Sequence, residues 1–337
     1  MIFDEATHFI LSDTTHIGES RRRAVALAAE LGFGETDRGK AAIVVTELTT
    51  NALRYAGGGE LFLLPYREVD AAGRSGLEIL VVDHGQGMSD LSCCMRDGYS
   101  SGGTQGTGLG AVSRLAAAFD VSTTVGKGTA VLARMTGGDA RPGLRPRTVG
   151  VLSVPYPGEQ VCGDGWGQRL DGTRLLLMVA DGLGHGIQAA EAAREAERIF
   201  HKNAASEPVR ILQDIHGALR KTRGAAVALC LLDGEVARFV GIGNISCTVV
   251  TPDAIAHSMV SLSGTVGYEV RKFQEFTRPC LTDSLCVMHS DGLATQWRLS
   301  SYPGLAQRPV TLIAAVLYRD FSRRRDDVTI VVVRAPG

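Results

Sequence analysis

One stretch divides this chain in two. Residues 136–147, TGGDARPGLRPR, are rich in glycine, proline and arginine and contain few apolar side chains. This composition is typical of a linker rather than of a helix or strand. At 337 residues the chain also exceeds one ordinary domain of about 100 to 200 residues. We therefore predict two domains, 1–136 and 148–337, joined by a linker at 137–147.

The overall composition excludes several classes of protein. Hydrophobic residues make up 45% of the chain, charged residues 21%, and the net charge is −1. This is a globular composition without the positive charge that nucleic-acid binding needs. Seven cysteines without a CxxC pair favour reduced thiols, the N-terminus lacks a signal-peptide pattern, and no apolar run has the length of a membrane span. We expect a cytoplasmic protein that binds neither membrane nor nucleic acid.

The periodicity of apolar residues predicts a mixed α+β architecture. In the first half it indicates helices at 20–31 and 40–55 and strands at 77–83, 119–125 and 128–135. In the second half strand-like apolar runs dominate, with helices predicted at 188–203, 208–221 and 309–320. We predict helices against a sheet in the first half and packed sheets in the second.

Three elements of the first half suggest a nucleotide site. Glu47 and Asn51 lie four residues apart on a predicted helix, so they share a face, although such a pair alone is typical of a solvated helix surface. The strand that ends in VVDHGQGM brings Asp83, Gly85 and Gly87. The loop SSGGTQGTGLGAV, residues 100–112, places bare backbone amides before a helix, where they can hold phosphate oxygens.

This ordered set resembles the GHKL ATPase superfamily over residues 10–135, and its RsbT-type serine kinases in particular. The resemblance implies a Bergerat-type α/β sandwich that binds ATP with Mg²⁺, and homodimers are common among such kinases. The absence of a phospho-accepting histidine box argues against a histidine kinase. The segment between Met88 and Gly102 offers only Arg96 as a cation, so phosphate transfer is a weaker expectation than ATP binding. The implied roles are general base for Glu47, Mg²⁺ ligand for Asn51, adenine acceptor for Asp83, space for the base at Gly85 and Gly87, and phosphate contacts for Gly106, Gly108 and Gly110.

The second half contains acidic residues at the ends of apolar strands. LMVADGLGHG, residues 177–186, ends a strand at Asp181 and Gly182. Any one such aspartate is typical of a turn or strand end. Several such aspartates that point to one place would favour binding of hard divalent cations. These cations prefer oxygen ligands and can activate a water molecule for attack on a phosphate. The other members of the set are Asp164, Asp291, Asp326 and Asp327. The spacing from Cys280 to Cys286 lacks the arginine of a thiolate phosphatase.

These motifs together resemble the metal-dependent Ser/Thr protein phosphatases of the SpoIIE and RsbX kind, from about residue 148 to 334. The resemblance implies an α/β/β/α sandwich with two Mn²⁺ or Mg²⁺ ions. His185, between glycines, is interpreted as a loop residue, with a role as ligand or acid as the alternative. The implied ligands are Asp164 for one metal, Asp181 as the bridge, the Gly182 carbonyl, and Asp291 and Asp326 for the other metal, with Asp327 less expected than Asp326.

The combined resemblance predicts a bifunctional regulator of a partner-switching pathway. A Ser/Thr kinase-like module and a phosphatase would act on a STAS-domain protein, an antagonist of an anti-sigma factor. Two alternatives stay open for the first domain. It either senses nucleotide without transferring phosphate or binds an anti-sigma or sigma factor.

Overall fold

The computed structural model describes residues 2–3, 6–67, 75–95, 108–138 and 148–335. The chain divides into two compact units, 1–146 and 147–337. Most of the predicted linker, 139–147, lies outside the described residues. Within the described ranges, each helix is too short or too polar to cross a bilayer.

The first unit contains an antiparallel sheet. Its strands are β1 (Ile2–Phe3), β2 (Thr7–Leu11), β3 (Gly59–Arg67), β4 (Ser75–Val82), β5 (Ala118–Thr124) and β6 (Gly128–Thr136). They are ordered β1-β3-β4-β6-β5, and β2 also pairs with β3. The two residues Glu78 on β4 and Arg134 on β6 are cross-strand partners that form a buried ion pair at 2.7 Å.

Helices cover one face of this sheet. They are α1 (Thr15–Glu30), α2 (Glu35–Ala56), α3 (Leu91–Cys94) and α4 (Gly108–Leu115). Helix α2 begins after Gly34 with acidic residues in its first turn, which complements the helix dipole, and it ends at Gly57 in the left-handed conformation. Its apolar face packs on the sheet, and each buried Val or Leu contributes about 1.5 to 3 kcal/mol. This packing fixes which face of α2 carries Glu47 and Asn51.

The second unit contains two antiparallel sheets. Its strands are β7 (Val149–Val154), β8 (Asp164–Asp171), β9 (Arg174–Gly182), β10 (Ala225–Asp233), β11 (Val236–Ile242), β12 (Ser246–Val250), β13 (Ala256–Met259), β14 (Phe276–Pro279), β15 (Leu285–His289) and β16 (Val328–Arg334). One sheet has the order β14-β11-β10-β9-β8 and the other β13-β12-β15-β16-β7. The Sγ atoms of Cys230 on β10 and Cys286 on β15 lie 3.9 Å apart in the buried interior, so the two sheets pack face to face.

Helices cover the outer faces of this sandwich. They are α5 (Ile187–Lys202), α6 (Pro208–Ala218) and α7 (Val310–Phe321), with short 3₁₀ turns at Leu219–Lys221, Leu299–Ser301 and Leu305–Gln307. Helices α5 and α6 pack on the sheet that contains β8 to β11, and α7 packs on β7 and β16. The predicted α+β class and the α/β/β/α layering are therefore confirmed.

Candidate metal centre and nucleotide site

The second unit brings its first two predicted acidic residues together across one strand pair. Asp164 begins β8, Asp181 lies near the end of β9, and they are direct cross-strand partners. Asp164 is buried, and its Oδ2 accepts a hydrogen bond from the Ser290 hydroxyl at 2.6 Å. Its Oδ1 is buried and, among the described residues, has no hydrogen-bond partner. A buried carboxylate oxygen left in this state is suited to a cation.

Asp291 reaches the same place from the other sheet. It follows β15 by two residues, and its Oδ2 accepts a hydrogen bond from Nδ2 of Asn244 at 2.7 Å. Asn244 lies just beyond β11 and also hydrogen-bonds Asp181. One amide therefore links two carboxylates that are 110 positions apart in the sequence.

Asp326 and Asp327 immediately precede β16, and they occupy different environments. Asp326 is partly exposed and accepts a hydrogen bond from the Asp327 backbone N–H at 3.0 Å. Asp327 is buried, and its Oδ1 accepts the backbone N–H of Tyr156 at 2.8 Å. Its Oδ2 is the second buried carboxylate oxygen without a partner among the described residues.

Gly182 ends β9 against helix α5. A Cβ added there would lie 2.1 Å from the carbonyl oxygen of Ala189, so no larger residue fits without moving the helix. The strand end therefore approaches the helix with bare backbone next to Asp181.

A cavity of about 580 Å³ opens beside these acidic residues. Asp181, Asp291 and Asp326 line it, whereas Asp164 and Gly182 do not. The remaining residues that line it are Tyr156, Leu183, Gly184, His185, Ala226, Gly243, Asn244, Ser263, Gly264, Thr265 and Arg325.

The electrostatics of the cluster favour a cation. Burial, reinforced by Asp291, Asp326 and then Asp327, raises the pKa of Asp181 to about 7. Burial and the neighbouring Asp181 raise the pKa of Asp164 well above its ordinary value. Burial and Asp291 also raise the pKa of Asp326. Like charges this close disfavour full ionisation, and divalent cations would relieve the repulsion. The unpartnered oxygens of Asp164 and Asp327, and a donor set made up of oxygen atoms, fit Mg²⁺ or Mn²⁺.

In the first unit the predicted general base Glu47 and the predicted Mg²⁺ ligand Asn51 lie against the start of α4. A Cβ added at Gly108 would lie 3.3 Å from Nδ2 of Asn51 and 3.6 Å from Oε2 of Glu47. These three residues therefore converge, and glycine leaves room between α2 and α4. Gly110 is buried on α4, whereas Gly106 and Arg96 lie outside the described residues.

Asp83 is fixed at the end of β4 by backbone groups. Its Oδ1 accepts the N–H of Gly85 at 2.8 Å and that of Thr129 at 3.2 Å. Gly85 and Gly87 are sterically required, because a Cβ would lie 2.7 Å from the Ala56 Cβ and 2.3 Å from the Thr124 carbonyl oxygen, respectively. Gly87 also has a positive φ of 70°. The turn therefore brings bare backbone close to a fixed carboxylate.

Several polar residues around the acidic cluster are absent from the sequence prediction. They are Asn244, Ser290 and Tyr156, which donate hydrogen bonds to Asp291, Asp164 and Asp327, respectively, from distant parts of the sequence. The available local signals were the motif GIGN, which ends in Asn244, and the motif HSDGL, in which Ser290 precedes Asp291. Trp297 does not line the cavity; it is buried and donates its indole N–H to Nε2 of His289 at 3.2 Å.

Comparisons with known proteins divide the chain at a similar place. Residues 10–135 match the family described as histidine kinase-like ATPase domain, and residues 171–336 match the stage II sporulation protein E (SpoIIE) family. The chain is 36% identical over 107 residues to the serine/threonine-protein kinase RsbT of Bacillus subtilis, covering 32% of this chain and 78% of RsbT.

A second curated relative and a solved structure cover other portions. The phosphoserine phosphatase RsbX of Bacillus subtilis is 25% identical over 145 residues, covering 42% of this chain and 73% of RsbX. A structure reported for the bacterial stressosome, a modular system adapted to control secondary messenger signalling, matches with a TM-score of 0.52 and 28% identity. It covers 56% of this chain and 98% of the matched one.

Proposed function

Since this chain belongs to the histidine kinase-like ATPase family of RsbT and joins that domain to a SpoIIE phosphatase domain, we propose that its second unit is a metal-dependent phosphoserine/phosphothreonine protein phosphatase. The observation that carries the proposal is the convergence of aspartates from separate chain segments: Asp181, Asp291 and Asp326 line one cavity, and Asp164 is the cross-strand partner of Asp181. One buried oxygen of Asp164 and one of Asp327 have no partner among the described residues. RsbX, the phosphatase relative, acts on phosphoserine by its name.

In this proposal two Mn²⁺ or Mg²⁺ ions are held by Asp164, Asp181, Asp291, Asp326 and the Gly182 carbonyl. When bound, such ions lower the pKa of a water and neutralise phosphate charge. The chain's own residues set the geometry. Asn244 holds Asp181 and Asp291 at a fixed separation, and Ser290 orients Asp164. The open cavity of about 580 Å³ suits one phosphorylated side chain of a protein that stays outside it.

Hydrolysis of a phosphoserine peptide by the full chain, with and without added Mn²⁺ or Mg²⁺, tests this proposal. We expect phosphate release that depends on metal. Asp181→Asn should abolish it, because the variant removes the carboxylate that is proposed to bridge the two metal ions. Asp171→Asn, at the exposed far end of β8, is the matched control and is expected to be fully active. Equal activity in the two variants, or metal-independent hydrolysis, contradicts the proposal.

For the first unit we propose binding of ATP with Mg²⁺ and transfer of phosphate to a serine or threonine. Support comes from the approach of Glu47 and Asn51 to Gly108 at the start of α4, and from the fixed carboxylate of Asp83. In this assignment Glu47 accepts the proton of the substrate hydroxyl, Asn51 contacts Mg²⁺, and Asp83 accepts from the adenine amino group. The glycines at 85, 87, 106, 108 and 110 provide space for the nucleotide.

We further propose that both units act on one STAS-domain phosphoprotein of a partner-switching pathway. The full chain is incubated with radiolabelled ATP, Mg²⁺ and an unphosphorylated STAS domain, and Mn²⁺ is then added. We expect label to appear on serine or threonine and to be released by the phosphatase. Glu47→Gln is expected to bind ATP without labelling the substrate.

Other outcomes of that experiment distinguish the alternatives for the first unit. ATP binding without label on any protein supports a nucleotide-sensing domain. Capture of an anti-sigma or sigma factor by the first unit, without transfer, supports a binding module. A homodimer through the first unit is a separate proposal, which sedimentation of the full chain tests.

A further inference from the structure

Three cysteine side chains meet in the interior of the second unit, between its two sheets. Cys230 comes from β10 in one sheet, and Cys247 and Cys286 come from β12 and β15 in the other. All three are buried. Their Sγ atoms all lie within 4.8 Å of one another. We refer to these three residues as the thiol cluster, which contains side chains from both sheets.

The spacing of the sulfur atoms in the thiol cluster suits a bound metal ion. Sγ of Cys286 lies 3.9 Å from Sγ of Cys230 and 3.8 Å from Sγ of Cys247. Three sulfur atoms that each lie about 2.3 Å from one metal ion are about 3.8 to 4.0 Å from each other. Two of the three separations therefore match those around an ion, and Cys286 is the thiol that contacts both of the others.

Two methionines add sulfur to the same face of the second sheet. Cys247 is the direct cross-strand partner of Met288 on β15 and of Met259 on β13. Side chains of such partners project from the same side of a sheet, so both thioethers belong to the face that carries Cys247. Both methionines are buried. The layer between the sheets is therefore rich in sulfur at this point, where ordinary packing would need only carbon.

The type of donor selects the type of ion. Mg²⁺ and Mn²⁺ prefer oxygen, structural Zn²⁺ takes four cysteine or histidine ligands, and thiolate with thioether sulfur favours Cu⁺. The thiol cluster supplies three cysteines, which leaves Zn²⁺ one ligand short. Charge is also satisfied by Cu⁺, because an unbalanced charge in the interior is costly. When Cu⁺ takes the place of the proton on one thiol, a Cu–S bond forms, the S–H bond breaks, and the proton goes to solvent, so the net charge of the interior is unchanged.

We propose that the thiol cluster binds one Cu⁺ ion as a structural site that links the two sheets of the second unit. Cys286 binds as the thiolate, and Cys230 and Cys247 complete the sulfur ligands. The ligands come from both sheets and meet only in the folded chain, so bound Cu⁺ stabilises the sandwich. The site uses none of the residues assigned to Mn²⁺ or Mg²⁺, and it does not depend on the phosphatase function above.

Competition for Cu⁺ between the full chain and the chelator bicinchoninate, under anaerobic conditions, tests the site. Cys93 and Cys94 are adjacent and partly exposed, so the reference protein carries Cys93→Ser and Cys94→Ser to remove them as competing ligands. We expect the reference to take one Cu⁺ per chain from the chelator, and Cys286→Ala in the same background to take none. Cys280→Ala, which removes a buried cysteine outside the thiol cluster, is the matched control and should bind as the reference does.

Two further measurements separate loss of the site from loss of the fold. We expect Cu⁺ to raise the Tm of the reference and of Cys280→Ala, and to leave that of Cys286→Ala unchanged. X-ray absorption of the Cu⁺-loaded reference needs no cluster variant, and it should show sulfur alone around the ion. Loss of Cu⁺ from the reference to the chelator, nitrogen or oxygen ligands, a preference for Zn²⁺, or equal binding by the two alanine variants overturns the proposal. None of these outcomes bears on the phosphatase function, which is assayed separately.

Discussion

Asp164 and Asp181 face each other as direct cross-strand partners of β8 and β9, and their mutual repulsion is one cause of the raised pKa of Asp164. A buried and a partly buried aspartate facing each other in adjacent strands would destabilise a fold that had no use for them. The two residues are 17 positions apart in the sequence, and the hairpin formed by β8 and β9 places them opposite each other. Asp291 and Asp326, which come from the second sheet, lie close enough to this pair to raise the pKa of Asp181.

The first prediction concerns pH and metal binding. Because the pKa of Asp181 is raised to about 7 in the folded protein, the metal-free site retains a proton below that pH. Metal must displace this proton, so we expect the Kd for Mn²⁺ to fall as the pH rises from 5.5 to 7 and to level off above about 7. Titration calorimetry in buffers of different ionisation enthalpy measures the proton released. Absence of proton release at pH 6 contradicts this prediction.

The raised pKa of Asp181 also determines whether the metal-free protein becomes more or less stable as the pH rises. The folded pKa of Asp181 lies above its unfolded value near 4, so the folded state binds more protons between these two values. We expect the free energy of unfolding of the metal-free protein to decrease as the pH rises from about 4 to about 7. Added Mn²⁺ should reverse the loss at pH 8. Asp181→Asn should weaken both effects without abolishing them, because burial also raises the pKa values of Asp164 and Asp326. Scanning calorimetry at pH 5.5 and 8 checks them.

Gly182 provides a prediction based on sterics. In Gly182→Ala the new methyl would meet the Ala189 carbonyl at 2.1 Å, so helix α5 must move away from the end of β9. We expect a loss of about 3 kcal/mol or more in stability together with loss of phosphatase activity. Gly217→Ala is the matched control, because the position lies on α6 with open space around it. There we expect a gain of about 0.5 to 1 kcal/mol and unchanged activity. Chemical denaturation of both variants provides the measurement, and equal stability of the two contradicts the steric assignment.

Much of the fold was predictable because apolar periodicity reports local burial. The helices predicted at 40–55 and 188–203 correspond to α2 and α5, although the pattern missed the first turn of α2, which is polar. Strand β3 was not predicted. It contains Pro65 and a buried Glu60, which interrupt the expected pattern.

The site was predictable only where a residue type carries its own signal. An aspartate after an apolar strand followed by glycine is such a signal, and Asp181 and Asp291 were identified in this way. Asn244 is neither charged nor placed directly at a strand end, and its importance arises from Asp291, which lies 47 positions away in the sequence. Tertiary contacts of this kind leave no local pattern in one sequence.

Asn244 is expected to act by holding two carboxylates in place. Asn244→Ala removes the hydrogen bonds to Asp181 and Asp291 and leaves their repulsion uncompensated. We expect activity or Mn²⁺ affinity to fall by about 10- to 100-fold, as for other residues that orient metal ligands. The control is Asn203→Ala, which removes an amide that donates to Asp214 at 2.8 Å outside the site. Activity against increasing Mn²⁺ is the measurement, and similar curves for the two variants contradict the role.

The last prediction tests the nucleotide site without touching its charged residues. In Gly108→Ala the added methyl would lie 3.3 Å from Asn51 Nδ2 and would occupy the space between α2 and α4. If Mg²⁺ and phosphate bind there, the affinity for ATP should fall by about tenfold, because Asn51 and Glu47 must shift to accommodate it. Gly39→Ala, on α2 with open space around it, provides the matched control and should bind ATP as the parent does. Fluorescent-nucleotide titration with and without Mg²⁺ measures both variants. Unchanged affinity in Gly108→Ala places the nucleotide away from the start of α4.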